Sequence, residues 1–90
     1  MAINNYNIVE VVWLDAEEHG EIGWNDIKLQ LRYAKKPCPE MRTVGYVVYR
    51  NDDHIALLSS MGEKDCSTVE KIPMAFIKSI TPLVTSKVSK

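Results

Sequence analysis

Cationic side chains interleaved with aromatic rings are the most suggestive chemistry in this sequence: Arg32, Tyr33, Lys35, Lys36 and Arg42, followed by Tyr46, Tyr49 and Arg50. Cations neutralise phosphate, arginine grips it with two parallel donors, and rings stack on a base. Gathered from a helix end, a linker and a strand, these residues predict a compact anion site. Polymeric RNA or DNA calls for a longer basic track, and a pI near 6.1 also argues against general nucleic-acid binding. Trp24 is a further flat surface that can stack on a base or pack back on the helix it precedes as a hydrophobic staple. The candidate ligand-binding set is therefore Trp24, Arg32, Tyr33, Lys36, Arg42, Tyr49 and Arg50. The competing use of the cations is pairing with acids of the same or a neighbouring subunit.

Asp15, Glu17, Glu18 and His19 form the densest titratable group. Carboxylates beside an imidazole can bind a divalent ion or exchange protons. All four lie in one short loop segment with no second cluster to complete a site, so solvated charge is the favoured reading. No phosphate-cradling glycine loop, GxSxG elbow or HExxH motif is present. The expectation is a protein that is not an enzyme and needs no cofactor or metal. His54, at a hairpin mouth, reads as a surface histidine, and Trp13, inside a β-branched run, as core. Cys38 and Cys66 lack CxxC spacing and read as reduced thiols.

The elements that position these residues follow from periodicity. Ile8 to Asp15 alternates, with Ile8, Val12 and Leu14 on one face and Val9, Val11 and Trp13 on the other. Ala16 to Gly23 suits a loop, or a second short strand over Glu21 to Trp24. Asn25 or Asp26 caps a helix reaching about Lys35, with Ile27, Leu31 and Ala34 on one face and Leu29 and Tyr33 on a flanking one, so the helix is expected to pack on something. Pro37 and Pro39 end it and extend Cys38. Val44 to Arg50 and His54 to Ser60 form a hairpin about Asn51, Asp52 and Asp53. A loose turn over Met61 to Ser67 leads to a strand at Thr68 to Ile72. Pro73 breaks that strand, Met74 to Phe76 makes one tight turn, and Ile77 to Leu83 is the last strand. Met74 and Phe76 suit a core corner or, next, a subunit interface. Residues 85–90 are a polar tail on a single domain spanning 1–84.

The chain has 90 residues, 46% of them hydrophobic, and a net charge of −1. Apolar transfer contributes about 140 kcal/mol against an ordering cost of about 135. The near-cancellation makes self-association a natural source of added stability. Charge is blocked: Glu10 to Asp26 carries only acids, whereas Lys28 to Arg50 carries bases and one acid, Glu40. Such blocks pair within a fold or between copies. The polar opening, Met1 to Asn7, has no secretory character, and no apolar run approaches membrane-spanning length, so a cytoplasmic protein without a membrane partner is expected.

Five short strands, one helix and tight turns predict a mainly β, α+β domain: a small, bent five-stranded barrel with a helix inserted after the first strand. The run Val44-Gly45-Tyr46-Val47-Val48-Tyr49-Arg50, then Ile55-Ala56-Leu57-Leu58, then Lys71-Ile72-Pro73-Met74-Ala75-Phe76-Ile77-Lys78-Ser79-Ile80-Thr81-Pro82 resembles the Sm-like proteins, which share the SH3-like barrel. In that family a glycine opens the bent second strand, an acid sits near the following turn, and a short corner leads into a last strand ending near proline. Gly45, Asp52 and Ile77 to Pro82 occupy matching places. The resemblance, over about half the chain, implies the barrel and a tendency to form rings. It does not imply the RNA pocket of the family's bacterial chaperones, because their Tyr-Lys-His corner corresponds here to Pro73, Met74 and Ala75. Family members also carry a helix before the first strand rather than after it. Val11-Val12-Trp13-Leu14-Asp15-Ala16 and Gly23-Trp24 look like small bacteriophage-encoded proteins, a class that includes sponges for immune signalling nucleotides.

Together these features lead to the expectation of a non-enzymatic homo-oligomer that sequesters a nucleotide-like anion, in the host cytoplasm if phage-encoded. The alternative is an Sm-like ring acting in protein–protein or RNA interaction without a small-molecule pocket.

Overall fold

A computed structural model of the chain describes residues 6–84. Within it, the first strand β1 (Ile8–Leu14) is followed by the only helix, α1 (Ile27–Ala34), and then by β2 (Glu40–Arg50) and β3 (His54–Leu58). The strand β4 (Val69–Pro73), a single 3₁₀ turn at Met74–Phe76 and β5 (Ile77–Leu83) complete the described chain. The five strands form one antiparallel sheet in the order β4-β3-β2-β1-β5. The expected mainly β architecture with one helix after the first strand is observed. Among the described residues the sheet is open, with no ladder between β4 and β5.

Its two edge strands are nevertheless consecutive in sequence. In a flat sheet the edges would stand about 19 Å apart, whereas the four steps from Pro73 to Ile77 span at most about 14 Å. The sheet is therefore curled at this corner, which is fastened by Met74 N–H donating to the Asp53 carbonyl at 2.8 Å. Curling brings one face inward. Val9, Val11, Ile55, Leu57 and Ile72 make the core, with Trp13, Val47, Met74, Ile77 and Ile80 packed against it. Alternation on β1 is what sends Val9, Val11 and Trp13 to that side. Trp13 is half-buried as expected of a core residue, and its indole Nε1 donates to Thr43 Oγ1 at 3.1 Å.

The opposite face is not purely polar. Leu83, Ile8, Tyr46, Leu58 and Val69 are successive register partners across all five strands. They form an apolar row that is half-exposed or exposed at both edges of the sheet.

The β2–β3 hairpin turns where the sequence predicts. Asn51 Oδ1 accepts from the backbone N–H of Asp53 and of His54, each at 2.9 Å. This side chain does locally what a backbone turn would otherwise do. Two expectations are corrected: β2 begins at Glu40 rather than Val44, because Asp15 N–H donates to the Pro39 carbonyl and extends the β1 pairing. The optional strand at Glu21 to Trp24 does not form; Gly20 and Gly23 there have positive φ, which breaks an extended run. The polar tail 85–90 lies outside the described residues.

Gly45 sits buried where β2 crosses β3. A Cβ there would lie 2.7 Å from the Leu58 carbonyl oxygen and 3.2 Å from Leu57 Cβ. The obstacle is backbone, which cannot turn aside. Gly45→Ala is accordingly expected to destabilise the fold by about 1–3 kcal/mol, the usual cost of overpacking. Urea denaturation reads the loss; an unchanged midpoint would mean that β2 and β3 are not this close.

Candidate functional site

Residues 16–38 leave the sheet between the paired ends Leu14 and Glu40. They form an arm: an irregular loop, α1, and the Pro37-Cys38-Pro39 return. Helix α1 starts at Asp26, whose Oδ2 accepts from Leu29 N–H at 3.0 Å, as the sequence predicts for an N-cap. None of its residues is buried. The molecule measures 59 × 30 × 27 Å with a radius of gyration of 18.4 Å, against about 12 Å for a compact chain of this length. The helix thus stands off the sheet rather than packing on it, contrary to what its apolar face suggests.

Within the arm, the loop folds back on one side of α1. His19 stacks on Tyr33 with ring centroids 4.1 Å apart and planes 14° from parallel. Gln30 fixes the same histidine, donating from Nε2 to the His19 carbonyl at 2.8 Å and meeting His19 Nδ1 at 3.0 Å through Oε1. Gly20 has a φ of 122° there, a backbone conformation that residues with a Cβ rarely adopt. Hydrogen bonding to the Glu17 carboxylate, helped by partial burial and the charges of Glu17 and Cys38, pushes the Tyr33 phenol up to about 12. One member of the acidic loop group, His19, therefore clips the loop to the helix. Asp15 accepts from Ala16 N–H at 3.0 Å. Among the described residues, no three His, Cys, Asp or Glu side chains are grouped to hold a metal ion.

The seven predicted ligand residues fall into three places. Trp24, Arg32, Tyr33 and Lys36 belong to the arm, where Trp24 is fully exposed and Tyr33 is partly covered by His19. Trp24 does not act as a staple, since none of the described residues covers it. Arg42 lies on the sheet's outer face and is paired with Glu10 at 3.6 Å and Glu40 at 3.4 Å. Lys78 completes this surface chain at 2.7 Å from Glu40 and holds the Glu40 carboxyl below its ordinary range. Arg42 is thus occupied by acids, one of them from the acidic block. Tyr49 and Arg50 lie at the far end of β2, about 23 Å beyond Arg42 at strand rise. Tyr49 is held there by Asn51 Nδ2, which donates to its hydroxyl at 3.3 Å, and by the tilted His54 ring. The arm carries four of the seven, with Trp24 before the helix and Arg32, Tyr33 and Lys36 at its far end, and the other three lie elsewhere on the sheet.

A cleft of about 90 Å³ lies between Thr43, Val44, Leu57, Leu58, Ser59, Thr68 and Glu70, whereas small-molecule pockets hold roughly 300 Å³ or more. It cannot take a nucleotide. Residues not singled out by sequence are the exposed apolar side chains of the arm: Ile22, Ile27, Leu29 and Leu31 stand alongside Trp24, all more than half exposed. Their signal was present in α1, where Ile27 and Leu31 lie on one side and Leu29 on nearly the opposite one at 100° per residue. A helix resting on a single sheet needs only one such stripe. No helix is long and apolar enough to cross a membrane among the described residues. Comparison with family models, curated proteins and solved structures gives no match.

The clip has a pH signature. Because the Tyr33 pKa is raised from its ordinary value of 10 to about 12, the contribution of its contact with Glu17 is complete below pH 10 and is lost as pH rises through the folded value. Absorbance at 295 nm is expected to show an ionisation step near pH 12 that Tyr33→Phe removes and Glu17→Gln moves down toward 10. A step unmoved by Glu17→Gln would remove the carboxylate as its cause.

Proposed function

We propose that the protein is a non-enzymatic, self-associating binding module of the small Sm-like or SH3-like barrel type, and that it holds and sequesters a nucleotide-like anion. The observation that carries this reading is the arm: a fully exposed Trp24 before a helix whose last turn and exit present Arg32, Lys35 and Lys36. None of these cations has an in-chain ion pair among the described residues. An exposed indole can stack on a base, and unpaired cations can neutralise a phosphate. Tyr33, held by His19, keeps a ring at the same helix end. Arg42, Tyr49 and Arg50 enter such a site only from another copy or as separate contacts.

The strand order and the one-turn corner between the edge strands support the barrel reading. The unpaired edges of β4 and β5 support self-association, since each offers free backbone donors and acceptors. The resemblance of the first half to small phage proteins suggests the ligand's kind, an immune signalling nucleotide, and with it a setting in the host cytoplasm. A second reading is favoured by the apolar row from Leu83 to Val69: a ring that engages a protein or RNA through the sheet and has no small-molecule pocket.

Thermal shift with a panel of cyclic and linear nucleotides separates the two. A ligand present at a hundred times its Kd adds about 2.7 kcal/mol, which for a domain of this size raises Tm by about 10 °C or more. Trp24→Ala and the double change Arg32→Ala, Lys36→Ala are expected to abolish the shift without lowering the Tm of the free protein. No response to any nucleotide would overturn sequestration and favour the protein or RNA partner.

A further inference from the structure

The arm holds two flat rings at its two ends. The loop before α1 runs back along the helix: His19 lies against Tyr33 and Gln30. Two residues further on, Glu21 exchanges two hydrogen bonds with Asn25, each 3.0 Å, beside the N-cap. Trp24 then enters the helix at that opposite end, fully exposed. The helix rises about 10 Å from Asp26 to Tyr33, whereas stacked rings lie within about 7 Å of each other. A single base therefore cannot rest on both His19 and Trp24.

His19 is fixed before any ligand arrives. The Gln30 amide nitrogen is committed to the His19 carbonyl, which turns its oxygen to Nδ1, so Nδ1 is the donor of that bond. One face of the imidazole is against Tyr33, and the residue is exposed. The cations sit beside this pair. Arg32 directly precedes Tyr33, and Lys36 N–H donates to the Tyr33 carbonyl at 3.0 Å, which keeps Lys36 within one turn of the ring. Neither cation has an ion pair among the described residues. Long helical side chains lean toward the helix N-terminus, so Arg32 reaches back between the two rings. Glu17 lies at the Tyr33 hydroxyl, followed in the loop by Glu18. Carboxylates this close to Arg32, Lys35 and Lys36 leave a small positive excess, which repels a polyphosphate and suits a phosphate group of single charge.

We propose that the His19–Tyr33 stack is a second base platform, and that the ligand is a dinucleotide: one base on His19, the other on Trp24, and the phosphodiester between them held by Arg32 and Lys36. This rests on the sequestration reading above and narrows its ligand class. His19, which that reading uses only to hold Tyr33, becomes a residue that touches the ligand. Two bases joined through one charge satisfy both rings and the small cationic excess. A mononucleotide leaves one ring bare.

Titration calorimetry on the full chain with AMP, the dinucleotide ApA and hexaadenylate tests the proposal. ApA is expected to bind at least tenfold more tightly than AMP, since each stacked base adds affinity. His19→Ala is expected to weaken ApA binding tenfold or more, and His19→Phe, which keeps a flat ring, to restore most of it. Nuclear Overhauser contacts from adenine protons of bound ApA to the His19 ring are expected as well; a histidine that only braces the loop would show none. AMP binding as tightly as ApA, or bound ApA without contact to His19, overturns the proposal and leaves sequestration of a smaller nucleotide standing. Hexaadenylate binding more than tenfold tighter than ApA also overturns it, in favour of a polymeric strand. If ApA fails to bind while another nucleotide raises the melting temperature, the dinucleotide falls alone; if no nucleotide acts in either assay, sequestration falls with it.

Discussion

Everything in this molecule depends on a constraint at one corner. Strands β4 and β5 are the two edges of the sheet, and a single turn at Met74–Phe76 joins them. So short a bridge cannot cross a flat five-stranded sheet, so the sheet must curl. The curl turns Val9, Val11, Ile55, Leu57 and Ile72 toward one another and fills the interior with strand residues and Met74 of the corner. Glycine at position 45 follows from the same bend, since β2 passes β3 too closely for a Cβ. Once the interior is filled by the sheet's own face, that face is closed to a helix, and the apolar row on the opposite face is left uncovered by α1, none of whose residues is buried.

That exclusion gives the arm its character. The segment between Leu14 and Glu40 is too long to be a simple hairpin turn and has its own capped helix and stacked His19–Tyr33 clip, yet no interior of its own. Apolar side chains and charges that would normally find partners within a chain remain available. The sheet is satisfied internally, apart from its edges and the ends of its apolar row. The arm's apolar side chains stay exposed among the described residues. Recognition surfaces are commonly built this way, with a rigid support holding out a segment of low intrinsic stability.

Most of the sheet was legible in the sequence because its signals are local. Alternation fixed the faces of β1, the Asn51–Asp53 turn fixed the hairpin, and Pro73 marked the corner; observed boundaries for the corner and β5 coincide with those predicted. The early start of β2 was not legible, since Glu40, Met41 and Arg42 show no strand pattern and are paired only because β1 supplies a partner. The site was legible in type but not in place. Arg42 looks like Arg32 in sequence, yet Glu10 and Glu40 neutralise it because β1 and β2 bring them alongside, a long-range consequence no spacing reveals. Tyr49 and Arg50 follow Arg42 closely in sequence, yet the extended strand carries them to its opposite end, beyond the reach of one small ligand. Trp24, read as a staple or a platform, is uncovered because α1 has no neighbouring layer to direct it inward.

The central claim is that the sheet folds on its own contacts while the arm is steadied by a bound ligand. Hydrogen exchange, followed residue by residue with and without ApA, tests this most directly. Amides of α1 from Leu29 to Ala34 should exchange more slowly when ApA is bound, while those of Val11, Ile55 and Leu57 in the core should be protected in both samples. Strong protection of α1 that is the same with and without ApA would contradict the account, because the helix would then be stable within the chain alone.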